Sequence, residues 1–396
     1  MNYSQAVALS TTTIHSFLGV KQPQLEDQTH IDAAVEWLCR AQDLETDGGV
    51  PAWYSVLTGW HTSYIETTGY IISTFLECAD QPYCPLERQN NLRERAIQMG
   101  DFLLTMQHPS GGYRTHVPSV RAKSEPTVFD TGQDLLGLTD LYTFTSDKKY
   151  LQSVKLAADF LCSIQESDGS WIKHAYGGVP HTYHTRVAWG LLKVYELTQN
   201  KRHKEAALAN LRWCGEQQQP NGWFTNNELP PPNHPVPFTH TISYAIEGFL
   251  WSGLLLSDST LVKTALRGAL PLLQFYEEKD FVPGSFNARW HSDDRFSCLT
   301  GDAQLCCVWL QLFSISKDIR FWDGATKLLE YLKTTQYTVF GPESIRGAIA
   351  GSQPVYGDLW HQTGYCRMAY LNWSTKFFID ALLLKQKLAP LASSLL

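Results

Sequence analysis

The sequence predicts an all-α chain that folds as a single (α/α)6 toroid, a ring of six outer and six inner helices around a central cavity. Three observations predict this fold. Amphipathic segments recur roughly 50–60 residues apart, several of them end in the same glycine-containing motif, and each is followed by a helix of different character. The second helices are apolar on almost every side, which is typical of helices that are buried on every side.

The outer helices are predicted from apolar residues at helical spacing. They start near Ile31, Asn91, Tyr150, Arg202, Leu261 and Arg320. Four of these segments end in related motifs that begin at Gln42, Gln107, Gln165 and Gln218, the first of them degenerate. A glycine after the last turn permits the left-handed backbone that ends a helix, and the aromatic residue that follows covers the exposed end.

The inner helices follow polar, aromatic loops. They start near Tyr64, Asp130, Tyr183, His240, Leu299 and Leu371. Six outer–inner pairs close a toroid over residues 31–388, preceded by an N-terminal extension of residues 1–30, and an open solenoid is the structural alternative. No Pro/Gly/Ser-rich linker or charge run divides the chain, which favours one domain.

Composition excludes several classes of function. A net charge of −7 argues against nucleic-acid binding, which needs basic surface. The chain has no run of about 18 apolar residues, so no membrane span is expected. The first twenty residues lack the pattern of a secretory signal. The nine cysteines are irregularly spaced, which is typical of reduced thiols and predicts a cytoplasmic protein.

The loops that lead into the inner helices are rich in His, Arg and aromatic residues, although the chain as a whole is acidic. Six loops that meet at one mouth form a natural binding site. Cations and flat aromatic faces together indicate an anionic saccharide as the ligand. The expected substrate-binding residues are Tyr64, His181, Arg186, Arg289, Trp290, Arg295, Gln304, Arg346, Trp373 and Lys376.

The candidate catalytic groups lie at the predicted starts of inner helices. They are Glu66, Asp130, His184, His240, Tyr244 and Asp302. Glu66 and Asp130 are equally explained as helix caps, and Asp302 as an internal hydrogen-bonding group. His181, His184 and His240 have no carboxylate or thiolate at a recognisable metal-binding spacing, so neither a metal nor another cofactor is expected.

A family resemblance accompanies these residues. The order of motifs, from Glu66-Thr-Thr-Gly-Tyr through His181-Thr-Tyr-His-Thr-Arg to Asn372-Trp-Ser-Thr-Lys, resembles bacterial proteins encoded among exopolysaccharide biosynthesis genes. These are members of the six-hairpin glycosidase-like class, and the similarity covers residues from about 31 to 386. The resemblance implies the toroid, a saccharide substrate, and glycosyltransferases of the same pathway as partners.

The resemblance leaves the reaction open. Hydrolysis needs two carboxyl groups, for which Glu66, Asp130 and Asp302 are available. A lyase or uronyl epimerase needs a base such as His184, His240 or Tyr244, with a group such as Arg186 to neutralise the uronate.

Two further functional classes stay open. The glycine-containing motifs that end the outer helices, called stops below, also resemble those of squalene and hopene cyclases and protein prenyltransferases. However, the chain has no Asp-x-Asp-Asp motif and no convincing zinc-ligand set. A non-catalytic glycan-binding scaffold is the other alternative.

Overall fold

Two concentric rings of helices form the fold. The computed structural model describes residues 3–115, 125–229 and 236–395. The outer ring consists of α2 (Asp27–Gln42), α4 (Leu86–Met106), α6 (Lys148–Ser163), α8 (Lys201–Glu216), α10 (Ser259–Lys279) and α12 (Ile319–Lys333). The inner ring consists of α3 (Ile65–Ala79), α5 (Val128–Thr145), α7 (Thr185–Thr198), α9 (Thr239–Leu256), α11 (Leu299–Ser316) and α13 (Asn372–Ser393).

The inner ring is closed. Each inner helix contacts the next one along the chain, and the last inner helix, α13, contacts both α3 and the first outer helix, α2. An open solenoid has no contact between its first and last units. The predicted (α/α)6 toroid is therefore confirmed and the solenoid alternative is excluded.

Four of the inner helices turn into the next outer helix through the same two-residue connection. The first residue is left-handed, with φ between 54° and 60°, and ends the inner helix; these residues are Ser146, Gln199, Ser257 and Lys317. The second residue caps the outer helix, because its side chain accepts a hydrogen bond from the backbone N–H two positions on. These caps are Asp147, Asn200, Asp258 and Asp318.

The glutamines of the predicted stops join neighbouring outer helices. The amide of Gln107 donates to the carbonyl of Gly111 in its own loop at 2.7 Å, and to the carbonyl of Ser153 in α6 at 2.9 Å. Gly111 has φ +101°, as the predicted left-handed stop requires. The same double donation, to a loop glycine and to a neighbouring outer helix, is made by Gln42, Gln165, Gln218 and Gln336.

Residues 1–30 were expected to precede the toroid as an extension, and their described part consists of a helix, a non-helical segment over 19–26 and the start of α2. Helix α1 (Tyr3–Leu18) packs on the long segment before α13, where the imidazole of His15 lies against the ring of Tyr337 at 5.7 Å. The first outer helix begins at Asp27, so the toroid starts slightly earlier than the sequence predicts.

Short antiparallel strands, which the all-α prediction did not include, cover one mouth of the ring. β1 (Trp53–Ser55) pairs with β2 (Gly59–Trp60) and β6 (Ala369–Leu371), and β6 also pairs with β4 (Ile349–Ala350). A second pair joins β3 (Ser297–Cys298) to β5 (Ser352–Gln353). Strand β1 brings Trp53 to the mouth of the ring.

Substitution of Gly137 by alanine is expected to destabilise the fold, because α3 and α5 pack backbone to backbone at this point. A Cβ on Gly137 would lie 1.8 Å from the carbonyl oxygen of Gly69, so one helix must shift. We expect Gly137→Ala to lower the free energy of unfolding by about 3 kcal/mol in urea denaturation.

Gly215→Ala is the matched control. Gly215 is also helical, but a Cβ there would meet nothing nearer than the Phe249 ring at 4.0 Å. We expect this variant to gain up to about 1 kcal/mol. Equal stabilities of the two variants would contradict the backbone contact.

Candidate active site

A cavity of about 330 Å³ opens at the end of the toroid where the inner helices begin. Helix N-termini carry partial positive charge, so this end of the ring favours negative groups. The cavity is lined by Trp53, Tyr64, Glu66, Thr67, Tyr70, Thr115, Thr127, Phe129, Asp130, Tyr176, Tyr183, Leu229, His240, Thr241, Tyr244, Tyr365 and Trp373. Six of the predicted site residues are among them: Tyr64, Glu66, Asp130, His240, Tyr244 and Trp373.

Threonine side chains hold the starts of the inner helices in place. Thr68 Oγ1 donates to the carbonyl of Tyr64 at 2.7 Å and accepts from the backbone N–H of Val50 at 3.0 Å. Thr131 makes the equivalent pair of bonds at the start of α5. Each threonine therefore ties the preceding stop loop to the first turn of the helix that carries a cavity carboxyl group.

Glu66 lies in the first turn of α3 and accepts a hydrogen bond from the hydroxyl of Tyr64 at 3.0 Å. Burial raises the pKa of Glu66 to about 8, and the charge of Asp130 adds to the rise. The hydrogen bond from Tyr64 and the charge of Arg186 oppose it. Glu66 therefore keeps its proton near neutral pH and can act as a proton donor.

Asp130 lies in the first turn of the neighbouring inner helix, α5, and is 5% exposed. Its charge raises the pKa of Glu66, which places the two carboxyl groups within electrostatic reach of each other across one cavity. A pair of carboxyl groups, one of which retains its proton, is the arrangement that acid–base catalysis uses.

His240 reaches the cavity from the first turn of α9. Its Nδ1 lies 2.7 Å from Oε1 of Gln304, and the Gln304 amide lies 3.1 Å from a carboxylate oxygen of Glu247. Glu247 forms a buried ion pair with Arg186. Burial lowers the pKa of His240 to about 3, and Arg186 lowers it further, while the bond to Gln304 opposes the shift. The imidazole is therefore neutral.

Aromatic rings form much of the cavity wall. The ring of Trp373 lies edge-on to Trp53 at 6.1 Å, and its Nε1 donates to the hydroxyl of Tyr365 at 3.1 Å. Sequence reasoning missed Trp53 and Tyr365, because each arrives on an irregular loop or short strand far from any predicted helix start. Tyr70 was visible in the motif that begins at Glu66, and its helical spacing of four residues was the signal.

His181 and His184 lie behind the cavity wall. His184 is fully buried among Phe129, Trp171 and Tyr183, and neither of its ring nitrogens has a hydrogen-bond partner within the described residues. Burial holds its pKa well below the usual range. His181 is also buried and bonds the carbonyl of Tyr176 at 2.8 Å. The structure thus places both residues in an aromatic cluster directly behind the rings that line the cavity.

Arg186, Gln304 and Lys376 lie deeper in the ring than the sequence predicts. Arg186 and Gln304 belong to the buried chain of contacts beneath His240. Lys376 is ion-paired with Asp380 and lines a separate cavity at the opposite end of the ring. Each was predicted to bind substrate, but Arg186 and Gln304 are paired with Glu247 of a neighbouring inner helix, and Lys376 with a carboxylate of its own helix.

The remaining predicted cations lie on loops outside the cavity. Arg289 and Arg295 are exposed, and the guanidinium of Arg295 stacks over Trp360 at 5.8 Å. Trp290 packs edge-on against Trp223, and Arg346 is half-buried next to Arg40. Within the described ranges, no Arg or Lys lines the cavity, so the expected cationic cleft is not formed by these residues.

Asp302 lies in the first turn of α11 but does not line the cavity. It is fully buried, and neither carboxyl oxygen has a hydrogen-bond partner in the described part of the chain. Burial raises its pKa well above the usual range, so this carboxyl group is held in its neutral form. Asp302 is therefore neither the internal hydrogen-bonding group nor the cavity-lining catalytic group that the sequence suggested, within the described residues.

The buried proton of Asp302 predicts a stability that falls with pH. The folded state retains this proton while the unfolded chain loses it above a pKa of about 4, so the contribution is full below that pH and is lost as pH rises. We expect Asp302→Asn to be more stable than the wild type by about 1 kcal/mol or more in urea denaturation near pH 8. The difference should shrink near pH 5.

The control for this comparison is Asp323→Asn, because Asp323 is exposed on α12. We expect it to follow the wild type at both pH values. An Asp302→Asn protein whose stability relative to the wild type does not change with pH would contradict the neutral carboxyl group.

In ranges 3–115, 125–229 and 236–395, no group of three His, Cys, Asp or Glu side chains is placed to hold a metal ion. Within the same ranges, no helix is both long enough and apolar enough to cross a membrane.

Comparison by sequence gives no match: no protein-family model and no curated protein matches the chain. Comparison by structure gives matches over nearly the full length. An unsaturated glucuronyl hydrolase specific for heparin superposes with a TM-score of 0.69 at 16% identity, over 92% of this chain and 98% of that one. A cellobiose 2-epimerase from Spirochaeta thermophila DSM 6192 superposes with a TM-score of 0.67 at 14% identity, over 91% and 95% of the two chains.

A D-mannose isomerase is similar at the same level, with a TM-score of 0.67 at 10% identity over 91% of this chain and 97% of that one. Identities this low establish the fold and not the reaction. The chain shares the (α/α)6 toroid fold with these proteins.

Proposed function

We propose that this protein is a saccharide-processing enzyme that hydrolyses its substrate in the cavity at the inner-helix N-termini. One observation carries the proposal: Glu66 and Asp130 occupy the first turns of adjacent inner helices, face one cavity, and differ in environment so that Glu66 retains its proton. Glycoside hydrolysis needs such a pair of carboxyl groups, one acid and one base or nucleophile.

In this proposal Glu66 donates its proton to the oxygen of the leaving group. Asp130, as the carboxylate, either accepts a proton from the attacking water or attacks the sugar carbon itself. The hydroxyl of Tyr64 holds Glu66 in position through its 3.0 Å bond to Oε2. The hydrolase, epimerase and isomerase whose folds are similar all carry sugar substrates in their names, which supports a saccharide.

The described cavity wall suits a sugar ring. Its volume of about 330 Å³ lies at the small end of the usual range for ligand sites. Trp53 and Trp373 offer aromatic faces and edges, while the threonines and tyrosines offer hydroxyl groups.

Sugar epimerisation or isomerisation is the second candidate. It is favoured by His240, a neutral imidazole at the cavity that is able to accept a proton. A pKa of about 3 makes it a weak base, however, and proton transfer is most efficient when the catalytic pKa lies near the working pH. For this reason we place hydrolysis first.

The cellular setting is part of the proposal. The resemblance to proteins encoded among exopolysaccharide biosynthesis genes supports a place in polysaccharide assembly or modification, beside glycosyltransferases. None of the nine cysteines forms a disulfide, which supports a reducing compartment such as the cytoplasm.

A turnover screen tests the proposal. The purified protein is incubated with cellobiose, mannobiose, an unsaturated glucuronyl disaccharide and polyprenyl diphosphates, and the products are identified by chromatography and mass spectrometry. Cleavage with uptake of water supports the proposal. Cleavage without water indicates a lyase, and a product of unchanged mass but altered mobility indicates the epimerase. Turnover of a prenyl substrate alone, or of no saccharide, would overturn it.

A further inference from the structure

His240 has one polar atom left for the cavity. Its Nδ1 is occupied by Gln304 at 2.7 Å, and the ring packs against the tilted rings of Tyr244 at 4.3 Å and Tyr365 at 5.0 Å between ring centres. The residue lines the cavity and is 6% exposed. What His240 can do to a substrate therefore depends on whether Nε2 carries a proton.

A chain of hydrogen bonds across the inner ring determines which ring nitrogen of His240 carries the proton. Glu247 stands seven residues after His240 on α9, two turns further along the same face. It accepts from the guanidinium of Arg186 on α7 and from the amide of Gln304 on α11. Arg186 in turn donates through Nε to Gln133 on α5 at 2.8 Å. All these groups are buried.

The direction of the bonds follows from the charge at the end of the chain. Burial raises the pKa of Glu247, but its ion pair with Arg186, which is always protonated, favours the carboxylate, and a carboxylate offers only acceptors to Gln304. Gln304 must therefore turn its NH₂ group towards Glu247 and its carbonyl oxygen towards His240. A carbonyl oxygen only accepts, so Nδ1 of His240 carries the proton and Nε2 presents a lone pair.

The reverse arrangement is strongly disfavoured. Turning the Gln304 amide over would place its oxygen 3.1 Å from the carboxylate of Glu247, and its NH₂ group against Nδ1. In a buried site such a contact between two acceptors costs the full desolvation of both groups. Protonation of His240 at Nε2 is opposed as well, because the cationic Arg186 and the burial of the ring both disfavour the imidazolium.

We infer that His240 is a specificity-determining residue that accepts a hydrogen bond from a sugar hydroxyl through Nε2, and that Arg186, Glu247 and Gln304 are positioning residues that fix it as an acceptor. This inference rests on the proposed function, because it assumes that the cavity holds a sugar ring. It assigns to the network a role in selecting the substrate. It also explains why a guanidinium, a carboxylate and an amide are buried beneath an otherwise aromatic cavity floor.

The tautomer is tested first, without substrate. Protein labelled with nitrogen-15 at histidine is examined by NMR from about pH 5 to 8, with His240→Phe used to assign the signals. We expect His240 to be neutral with its proton on Nδ1 across the whole range. We expect Gln304→Met to shift the proton, at least in part, to Nε2. A protonated ring, or an Nε2–H tautomer in the wild type, would overturn the inference.

Selectivity is tested next, with the disaccharide of the turnover screen that reacts fastest and its series of monodeoxy analogues. A site that pairs with a substrate hydroxyl rejects the analogue that lacks it. We expect one deoxy analogue to lose at least about 100-fold in kcat/KM with the wild type. With Gln304→Met and His240→Phe, we expect this ratio to fall to about tenfold or less.

The control is Gln311→Met, on the same helix as Gln304 but two turns away, where its amide bonds Ser314 at 2.9 Å. It should keep the discrimination of the wild type. If Gln304→Met and His240→Phe slow all the sugars by the same factor, the role of the network is structural and the inference fails. Failure of the proposed function is distinguishable, since it appears as full activity in Glu66→Gln whatever the tautomer of His240.

Discussion

Glu66→Gln is expected to lower kcat/KM for the saccharide substrate by about 10³-fold, because the side chain keeps its size and hydrogen bonding but loses the transferable proton. The activity of the wild-type protein should depend on this same proton. Glu66 must be protonated to act as the acid, so kcat/KM should decline as pH rises through the pKa of about 8. Both effects are measured by initial rates, with the fold of the variant checked by circular dichroism.

Glu77→Gln is the matched control for this variant. Glu77 lies on the same helix, α3, but at the opposite end of the ring, where its side chain is exposed. A loss of activity caused only by removing a carboxyl group from α3 would appear in both variants. We expect Glu77→Gln to stay within about twofold of the wild type, as for a substitution remote from the reacting groups. A fully active Glu66→Gln protein would remove Glu66 from the reaction.

Asp130→Asn is expected to produce a second loss of about 10³-fold, since the amide can neither accept a proton from water nor attack the sugar carbon. The loss should fall on kcat more than on KM, because the carboxylate acts in the transition state. With an activated aryl glycoside, added azide should restore part of the rate by replacing the missing nucleophile or base. Kinetics with and without azide measure this.

Asp140→Asn provides the comparison on the same helix. Asp140 lies three turns after Asp130, where it pairs with Lys193 and accepts from Ser73 at 2.7 Å, and it lines the cavity at the other end of the ring. Its loss should affect stability and leave kcat unchanged. If Asp140→Asn and Asp130→Asn were equally impaired, the defect would lie in the packing of α5 and not in catalysis.

The ring architecture was predictable because each of its helices corresponds to a local sequence pattern that repeats along the chain. Alternation of amphipathic and fully apolar segments gave the two rings, and the glycine of each stop gave the ends of the outer helices. A two-residue connection also recurs between the rings: a left-handed residue followed by an Asp or Asn cap, as at Ser146 and Asp147. This connection is hard to recognise in the sequence, because it is short and its residue types are common.

Position at the start of an inner helix predicted part of the site. Glu66 and Asp130 lie in first turns and reach the cavity, but Asp302 lies in the first turn of α11 and does not line it. His184 lies in a 3-10 turn before α7, and its side chain points into the aromatic cluster and not into the cavity. A shift of one position along this turn changes the direction of a side chain, and sequence spacing alone does not fix the position. Arg186 was drawn away from the cavity by Glu247, a partner sixty-one residues distant in sequence.

The most direct test of the central claim is hydrolysis in heavy-oxygen water, followed by mass spectrometry of the products from the wild type, Glu66→Gln and Asp130→Asn. The account predicts that the wild type cleaves a saccharide and places one heavy oxygen atom in the newly formed reducing end, and that neither variant does so at a comparable rate. Cleavage by the wild type without heavy oxygen in the product, or undiminished cleavage by either variant, would contradict it.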